Sequence, residues 1–172
     1  MDLIKVTSIE QLDELLEQGN TDFTIASGVI RSSKYITKDG NHYFVMHYID
    51  SSEERLTADE LMADNIGRAI RNGTFYCLPM SLKTLIRYKW CRYRKDNGMR
   101  DPKFAYCHIK FLDDGSEQDV TIGLALGMDL SDDEDFHVFF YCDGLDGLLA
   151  LCDEGSEDFI VTGIDGYDNS IF

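Results

Sequence analysis

The sequence predicts an α+β fold with antiparallel sheets and about four helices. Segments with apolar residues at helical spacing recur along the chain, and short segments in which polar and apolar residues alternate lie between them. Helical segments begin at capping residues and end at glycines, while strand segments flank turns that contain Asp-Gly. With 172 residues and a hydrophobic share of 44 %, the chain is long enough to bury a core.

The first half of the chain contains two helices and a hairpin by these criteria. Ser8 followed by Gln11, and Thr57 followed by Glu60, have the spacing of capping boxes. Asp39-Gly40, between two aromatic-rich strand segments, is a strong hairpin signal. The predicted elements are a helix from Ser8 to Gly19, a strand over 22–29, hairpin strands over 34–38 and 42–49, a helix over 58–72 and a strand over 74–78.

The second half begins with a basic helix over residues 81–95. Its apolar side chains occupy one face, namely Leu82, Leu85, Ile86, Trp90 and Tyr93, while basic side chains line the other. The predicted elements after it are a linker up to Pro102, hairpin strands over 104–112 and 119–126, an acidic loop over 132–135, a strand over 136–141, a helix over 145–153 and a strand over 158–162.

Residues 9–25 and 145–161 share one pattern at an offset of 136 residues. In each segment, apolar residues at helical spacing precede a glycine, and a strand that begins with Asp-Phe follows. General rules for helix ends favour such a pattern, so a common local unit explains it. The repetition leaves open that the chain holds two related α/β halves.

Charge is distributed very unevenly along the chain. Residues 1–110 hold all sixteen Lys and Arg against fifteen acids, whereas residues 111–172 hold seventeen acids and no Lys or Arg. The predicted organisation is a near-neutral α+β part over 1–80, a basic helix and linker over 81–103, and an anionic α+β part over 104–172. Phosphates would be repelled by the anionic part, so a basic protein surface is a better partner than free nucleic acid.

The acids that turns expose best are the predicted contacts with such a partner. They are Asp113, Asp114, Glu117, Asp119, Asp132, Asp133, Glu134 and Asp135. Neither acidic run has the Asp-x-Asp-x-Asp-Gly spacing of a calcium loop. Cys107 and His108 are adjacent, so on a strand they point to opposite faces and do not share a zinc ion. No metal or other cofactor is therefore predicted.

No catalytic signature is present in the sequence. It lacks Gly-x-Ser-x-Gly, a phosphate loop and a dinucleotide fingerprint, and all four histidines fall on predicted strands, so we do not expect an enzyme. The five cysteines have no disulfide-framework spacing, which favours reduced thiols in a cytoplasmic protein. No apolar run approaches the ~18 residues of a membrane span, and the N-terminus lacks a signal-peptide pattern.

The basic helix supports an alternative prediction, direct contact with nucleic acid. Lys83, Arg87 and Arg94 are the candidate contacts, because basic residues interleaved with aromatic ones grip phosphates and stack on bases. Structural explanations are favoured over this one. Trp90 and Tyr93 continue the apolar face, and the charges fit a solvated helix face or partners for the anionic part.

Several segments between residues 30 and 76 resemble small proteins of bacterial phages and mobile elements. They are Arg31-Ser32-Ser33-Lys34-Tyr35-Ile36, Tyr43-Phe44-Val45, Tyr48-Ile49-Asp50 and Asn65-Ile66-Gly67-Arg68-Ala69-Ile70-Arg71-Asn72-Gly73. The resemblance contains no motif of known chemistry, so it implies no functional residues. Mobile elements often carry compact acidic proteins that block host restriction or CRISPR enzymes, some by imitating DNA.

These observations lead to one principal hypothesis. The chain is expected to be an anti-CRISPR or anti-restriction inhibitor whose anionic, nucleic-acid-mimicking surface occupies the basic channel of a host enzyme. One alternative is an immunity-type protein that neutralises a basic toxin or nuclease. Another is a nucleic-acid-binding protein that acts through the helix over 81–95.

Overall fold

The computed structural model of the chain describes residues 3–126 and 137–170. Within them, five α-helices and ten β-strands confirm the predicted α+β class. The chain divides into two compact units, Met1–Thr84 (unit 1) and Leu85–Phe172 (unit 2). Unit 2 contains nineteen Asp and Glu against eight Lys and Arg, so most of the net charge belongs to it.

Unit 1 contains a six-stranded antiparallel sheet. Its strands are β1 (Ile4–Lys5), β2 (Asp22–Ser27), β3 (Ile30–Asp39), β4 (His42–His47), β5 (Glu53–Thr57) and β6 (Phe75–Cys77). They lie in the order β1-β6-β2-β3-β4-β5. Strands β3 and β4 form the predicted hairpin, but because Asp39 pairs with His42 the two-residue loop is Gly40-Asn41, one residue later than the predicted Asp39-Gly40. Gly40 has a φ of 60°, the left-handed conformation that this turn requires.

Helix α1 (Ile9–Glu17) begins where the sequence predicts, because Ser8 caps it. The Gln11 amide donates to Ser8 Oγ at 3.1 Å. The Gln11 side chain accepts from the Thr7 amide at 2.8 Å, one residue before the partner that a standard capping box uses. The helix packs on the core of unit 1, whose fully buried members include Leu12, Phe23, Ile36, Val45, Leu61 and Phe75.

The prediction of one helix over residues 58–72 is wrong, because the segment forms two helices. Helix α2 (Ala58–Ala63) and helix α3 (Asn65–Asn72) are separated at Asp64, whose backbone is extended. The Thr57–Glu60 capping box is formed as predicted. The break brings Gly67 against the backbone of Met62, where a Cβ atom at Gly67 would lie 2.0 Å from the Met62 carbonyl oxygen. Glycine at this position therefore permits the close approach of α3 to the end of α2.

Unit 2 contains a four-stranded sheet with one parallel pair. Its strands are β7 (Phe104–Phe111), β8 (Glu117–Gly123), β9 (Phe140–Tyr141) and β10 (Phe159–Asp168), in the order β10-β7-β8-β9. β7 pairs antiparallel with both β8 and β10, whereas β8 and β9 are parallel. The pairing of β10 with β7 shifts in register between Val161 and Gly163 and again between Ile164 and Gly166.

Two helices accompany this sheet, α4 (Leu82–Asp96) and α5 (Gly144–Asp153). The Tyr167 hydroxyl donates to the Ile86 carbonyl at 3.0 Å, and the Tyr167 ring meets Trp90 edge-on at a centroid distance of 5.5 Å. The prediction that Leu85 belongs to the apolar face of this helix is wrong. Leu85 is 41 % exposed, while Cys91 and Thr84 are buried instead.

Other strand boundaries differ from the predicted ones. β1 and β5 were not predicted, since a two-residue strand and the charged segment Glu53–Thr57 carry little periodicity. β8 ends at Gly123, before the end of the predicted strand over 119–126. A Cβ atom at Gly123 would lie 2.5 Å from the Tyr141 ring, so glycine makes room for β9 there. Of the described part of the predicted strand over 136–141, only Phe140–Tyr141 pair. The predicted loop over 132–135 lies outside the described residues.

The pattern shared by residues 9–25 and 145–161 corresponds to matching local structure. Both segments are a helix, a glycine with positive φ and a strand, and Leu12 and Leu148 are both fully buried. Their strands differ in position, because β2 is central in its sheet and β10 is at an edge. The two sheets also share a pairing pattern. In unit 1 the strand that follows α3, β6, pairs with β2, and in unit 2 the strand that follows α5, β10, pairs with β7.

Candidate partner-binding surface

The acids of the C-terminal segment lie at the surface of unit 2. Twelve of the seventeen belong to the described residues, and eleven of these twelve are exposed. The twelfth, Asp168, is half-buried and accepts from the Tyr106 hydroxyl at 3.3 Å. The described part of the segment is therefore a charged surface on a folded scaffold.

Two of the predicted contacts, Asp113 and Asp114, lie in the turn between β7 and β8. Both are exposed, and we name this pair the acidic turn. The Ser116 amide and hydroxyl donate to one Asp114 carboxylate oxygen at 2.9 and 2.7 Å, and these bonds lower the pKa of Asp114 below its ordinary value. The Asp114 amide donates to the Asp113 carboxylate at 2.7 Å. Local hydrogen bonds thus hold both carboxylates in place and keep Asp114 ionised.

The other two described contacts, Glu117 and Asp119, lie on the exposed face of β8. Residues two apart on a strand share a face, and register places Asp119 opposite His108 of β7. Asp165 of β10 lies on the other side of His108, and its carboxylate is 2.9 Å from His108 Nε2. We name Glu117, Asp119 and Asp165 the acidic face.

His108 organises this face because each of its ring nitrogens meets a carboxylate. Nδ1 contacts Asp119 and Nε2 contacts Asp165. Both nitrogens donate only when the imidazole is protonated, so the two hydrogen bonds raise the pKa of His108 above its ordinary value, Asp165 contributing most. Gly163 makes room for the ring, since a Cβ atom there would lie 2.8 Å from His108 Cδ2.

The remaining predicted residues are placed as follows. Asp132, Asp133, Glu134 and Asp135 lie outside the described residues. The alternative nucleic-acid contacts Lys83, Arg87 and Arg94 all lie on α4 and are half-buried. Arg94 Nε forms an ion pair with Asp101 at 3.0 Å, so part of its charge is used within unit 2.

No protein-family model, curated protein or solved structure matches this chain. None of the helices in the described residues combines the length and the apolar character that a membrane crossing demands.

The cysteines of the chain are free thiols, as the sequence predicts. Burial raises the pKa of Cys77 to about 11 and the pKa of Cys107 and Cys142 to about 12, so these thiols stay protonated at neutral pH. Among residues 3–126 and 137–170, no group of three or more His, Cys, Asp and Glu side chains could hold a metal ion. Cys107 is buried while His108 lies on the exposed face. The two side chains therefore point to opposite faces of the strand, as predicted.

Unit 1 contains a polar cluster that the sequence did not reveal. Lys34 Nζ lies 2.8 Å from Ser32 Oγ and 3.1 Å from His47 Nδ1, and His47 Nε2 lies 2.8 Å from the Glu54 carboxylate. Desolvation lowers the pKa of Lys34 below its ordinary value. A lysine of this kind beside a hydroxyl could act as a base. Lys34 is only 3 % exposed, however, so the cluster offers poor access to a substrate and we assign it a structural role.

Sequence reasoning missed Asp165 and the role of His108. The pairing of Gly163 with His108 follows a register shift in β10, and no local signal in the sequence announces that shift. The three Asp and Glu side chains of the acidic face come from β8 and β10, which are not neighbours in the sheet. Only the presence of β7 between them, with His108 at its centre, brings them together.

Proposed function

We propose that this chain is an interaction protein whose acidic turn and acidic face bind a basic, nucleic-acid-binding surface of another protein. The observation that carries this proposal is the segment of 62 residues with seventeen acids and no Lys or Arg, whose described acids are almost all exposed. Solubility alone tolerates interspersed lysines. Their complete exclusion favours selection for an anionic contact surface.

The spacing of the carboxylates suits a surface that normally binds phosphates. Glu117 and Asp119 are two residues apart on β8, which separates them by ~6.8 Å along the strand. Phosphates of one DNA strand rise by ~3.4 Å per nucleotide along the helix axis and also rotate about it, so neighbouring phosphates lie further apart than the rise and their separation is on the same scale as that of these two residues. Strands and hydrogen-bonded turns hold the charges in place, which reduces the ordering cost of binding.

The biological role that fits this surface best is inhibition of a host defence enzyme by a phage or mobile element. CRISPR and restriction enzymes present basic channels to DNA or RNA, and a rigid anionic protein competes for such a channel without offering a sequence to read. The resemblance of residues 30–76 to small proteins of phages and mobile elements supports this role.

Charge reversal tests the proposal. The variant Asp113→Lys, Glu117→Lys, Asp119→Lys should lose inhibition of restriction or CRISPR interference in cells that express the chain. The matched control is Glu14→Lys, Glu17→Lys, Asp39→Lys, which changes three exposed acids of unit 1 and the net charge by the same amount. We expect the control to inhibit and the unit 2 variant not to inhibit. Thermal unfolding verifies that both variants are folded.

The partner itself should be captured from host extract in low salt and released at ~1 M salt, where the Debye length falls to ~3 Å. A captured CRISPR or restriction enzyme whose retention depends on the unit 2 acids supports the proposal. A single basic toxin or nuclease would instead identify an immunity-type protein. Equal retention by the wild type and the unit 2 variant would show that the acidic surface is not the contact.

A further inference from the structure

Unit 2 contains an aromatic groove beside the acidic turn. Four phenylalanines line it together with Asp113, Ser156, Glu157 and Asp158, and its volume is about 720 Å³. We name it the phenylalanine groove; its aromatic members are Phe111, Phe139, Phe140 and Phe159. The volume lies within the ~300–1,000 Å³ that is typical of ligand pockets.

Packing among the rings holds the floor of the groove in one arrangement. Phe159 is 3 % exposed and lies between Phe139 and Phe140, at centroid distances of 5.3 and 5.1 Å with nearly perpendicular planes. Phe139 also meets Phe111 edge-on at 6.2 Å. Edge-to-face packing of this kind stabilises a fixed arrangement of rings. Phe139 nevertheless keeps 41 % of its surface exposed, so an aromatic ring is available to a ligand.

The acidic rim of the groove is built on short, hydrogen-bonded segments. Ser156 Oγ accepts from the amides of Asp158 and Phe159 at 3.3 and 3.2 Å. The Leu112 amide donates to the Asp158 carbonyl at 2.9 Å, which joins the acidic turn to this loop. Glu157 and Asp158 are therefore exposed carboxylates on a backbone that is ordered before any partner binds.

The combination of aromatic rings and carboxylates defines the ligand chemistry. An apolar ligand would not need the rim, and a simple cation would not need the rings. A guanidinium group stacks on aromatic rings and pairs with carboxylates at its edge, while its aliphatic stem fills apolar space. Lysine satisfies only part of this pattern, because its ammonium is a strongly hydrated point charge.

We propose that the phenylalanine groove binds an arginine side chain of the basic partner protein, with the guanidinium between Phe139 and the carboxylates of Glu157 and Asp158. This inference rests on the proposed function, since it takes the partner to be a basic protein. It goes further in naming one residue type and one anchoring site. Segment 111–172 has no Lys or Arg of its own to occupy the groove. Lys110 precedes it, but its side chain lies beside Gly115, where Cε is 3.7 Å from a Cβ position, and it does not line the groove.

Short end-blocked peptides that contain a single arginine, lysine or citrulline test the groove directly. Citrulline is nearly isosteric with arginine but neutral. Binding would be followed by NMR titration of the aromatic signals of unit 2. The arginine peptide should bind about tenfold more tightly than the citrulline peptide, because a charged hydrogen bond is lost, and it should also exceed the lysine peptide.

Two variants separate the rings from the rim. Phe139→Leu keeps apolar bulk but removes the ring and should weaken the arginine peptide about 2- to 5-fold. Glu157→Gln, Asp158→Asn should weaken it about 2- to 10-fold. The matched control Glu14→Gln, Glu17→Gln removes the same charge from two exposed residues that do not line the groove, and it should change binding less than about 2-fold. Thermal unfolding verifies that each variant is folded.

The outcomes distinguish this inference from the proposed function. Equal affinity for arginine and citrulline peptides, or no effect of Phe139→Leu, would overturn the inference while capture of a basic partner by the acidic face could still hold. Selective arginine binding that is lost in Phe139→Leu would support the groove. If the charge-reversal variant of unit 2 then still captured its partner, the proposed contact role of the acidic turn and acidic face would be refuted. Arginine binding by the phenylalanine groove would remain supported.

Discussion

Replacement of Gly67 by alanine offers a quantitative test of the break between α2 and α3. A Cβ atom at this position would lie 2.0, 2.3 and 2.4 Å from the carbonyl oxygen, carbonyl carbon and Cα of Met62. All three are backbone atoms, so no side-chain rotation relieves the clash and the helices must move apart. Overpacking costs ~1–3 kcal/mol, and a clash with backbone belongs at the upper end of that range.

Alanine also favours a helix over glycine by ~1 kcal/mol, which offsets part of the clash. The net loss in the free energy of unfolding is therefore about 2 kcal/mol. For a cooperative unit of the size of unit 1, each kcal/mol lowers the midpoint of thermal unfolding by ~4–8 °C, which gives a decrease of ~8–16 °C. Far-UV circular dichroism during heating measures this shift.

Gly166→Ala is the matched control for this experiment. Gly166 has no atom within 4 Å of a Cβ position and no positive φ, so its replacement should change stability by less than ~0.5 kcal/mol. An unfolding midpoint of Gly67→Ala within a degree or two of the wild type would refute the reasoning. In that case the approach of α3 to the end of α2 would leave room for a methyl group, and glycine would not be required at position 67.

Three further predictions concern titration and the core. The native pKa of His108 is raised, so the contribution of the protonated ring to stability should be complete below about pH 6.5 and should be lost as the pH rises through the native pKa. Urea unfolding should therefore show a stability difference between the wild type and His108→Gln that shrinks over that pH range. The native pKa of Lys34 is lowered, so the wild type should gain stability relative to Lys34→Met as the pH rises from the native pKa towards the ordinary lysine pKa of ~10.4. A difference in the free energy of unfolding that stays constant over this pH range would argue against a desolvated ammonium. Leu12→Ala and Leu148→Ala, each fully buried, should each cost ~2–5 kcal/mol in denaturant unfolding; a cost below 1 kcal/mol at either site would contradict its place in a packed core.

Local signals in the sequence predicted much of the fold. The Ser8 cap, the hairpin between β3 and β4 and the Thr57–Glu60 capping box each form as expected, because each depends on residues within a few positions of one another. The split at Asp64 was not predicted, because the helical spacing of apolar residues continues across it and neither glycine nor proline stands at that position.

The site shows the same division between local and long-range information. Exposure of Asp113 and Asp114 followed from turn chemistry. Glu117 and Asp119 are exposed as expected, but they lie on strand β8 rather than in a turn. The link between Asp119 and Asp165 depends on register across three strands, which the sequence does not specify locally. The phenylalanine groove likewise needs β7, β9, β10 and a loop to converge.

The two register shifts in β10 have a consequence for self-association. β10 is ten residues long and lies at the edge of its sheet among the described strands, so a flat version of it would be a template for a strand of another copy. The shifts interrupt that template, and the carboxylates of Asp165 and neighbouring acids add repulsion between copies. As the pH falls towards the pI of about 4.4, the net charge of the chain approaches zero and the repulsion between copies weakens. Edge-to-edge association of this protein should therefore first occur near that pH.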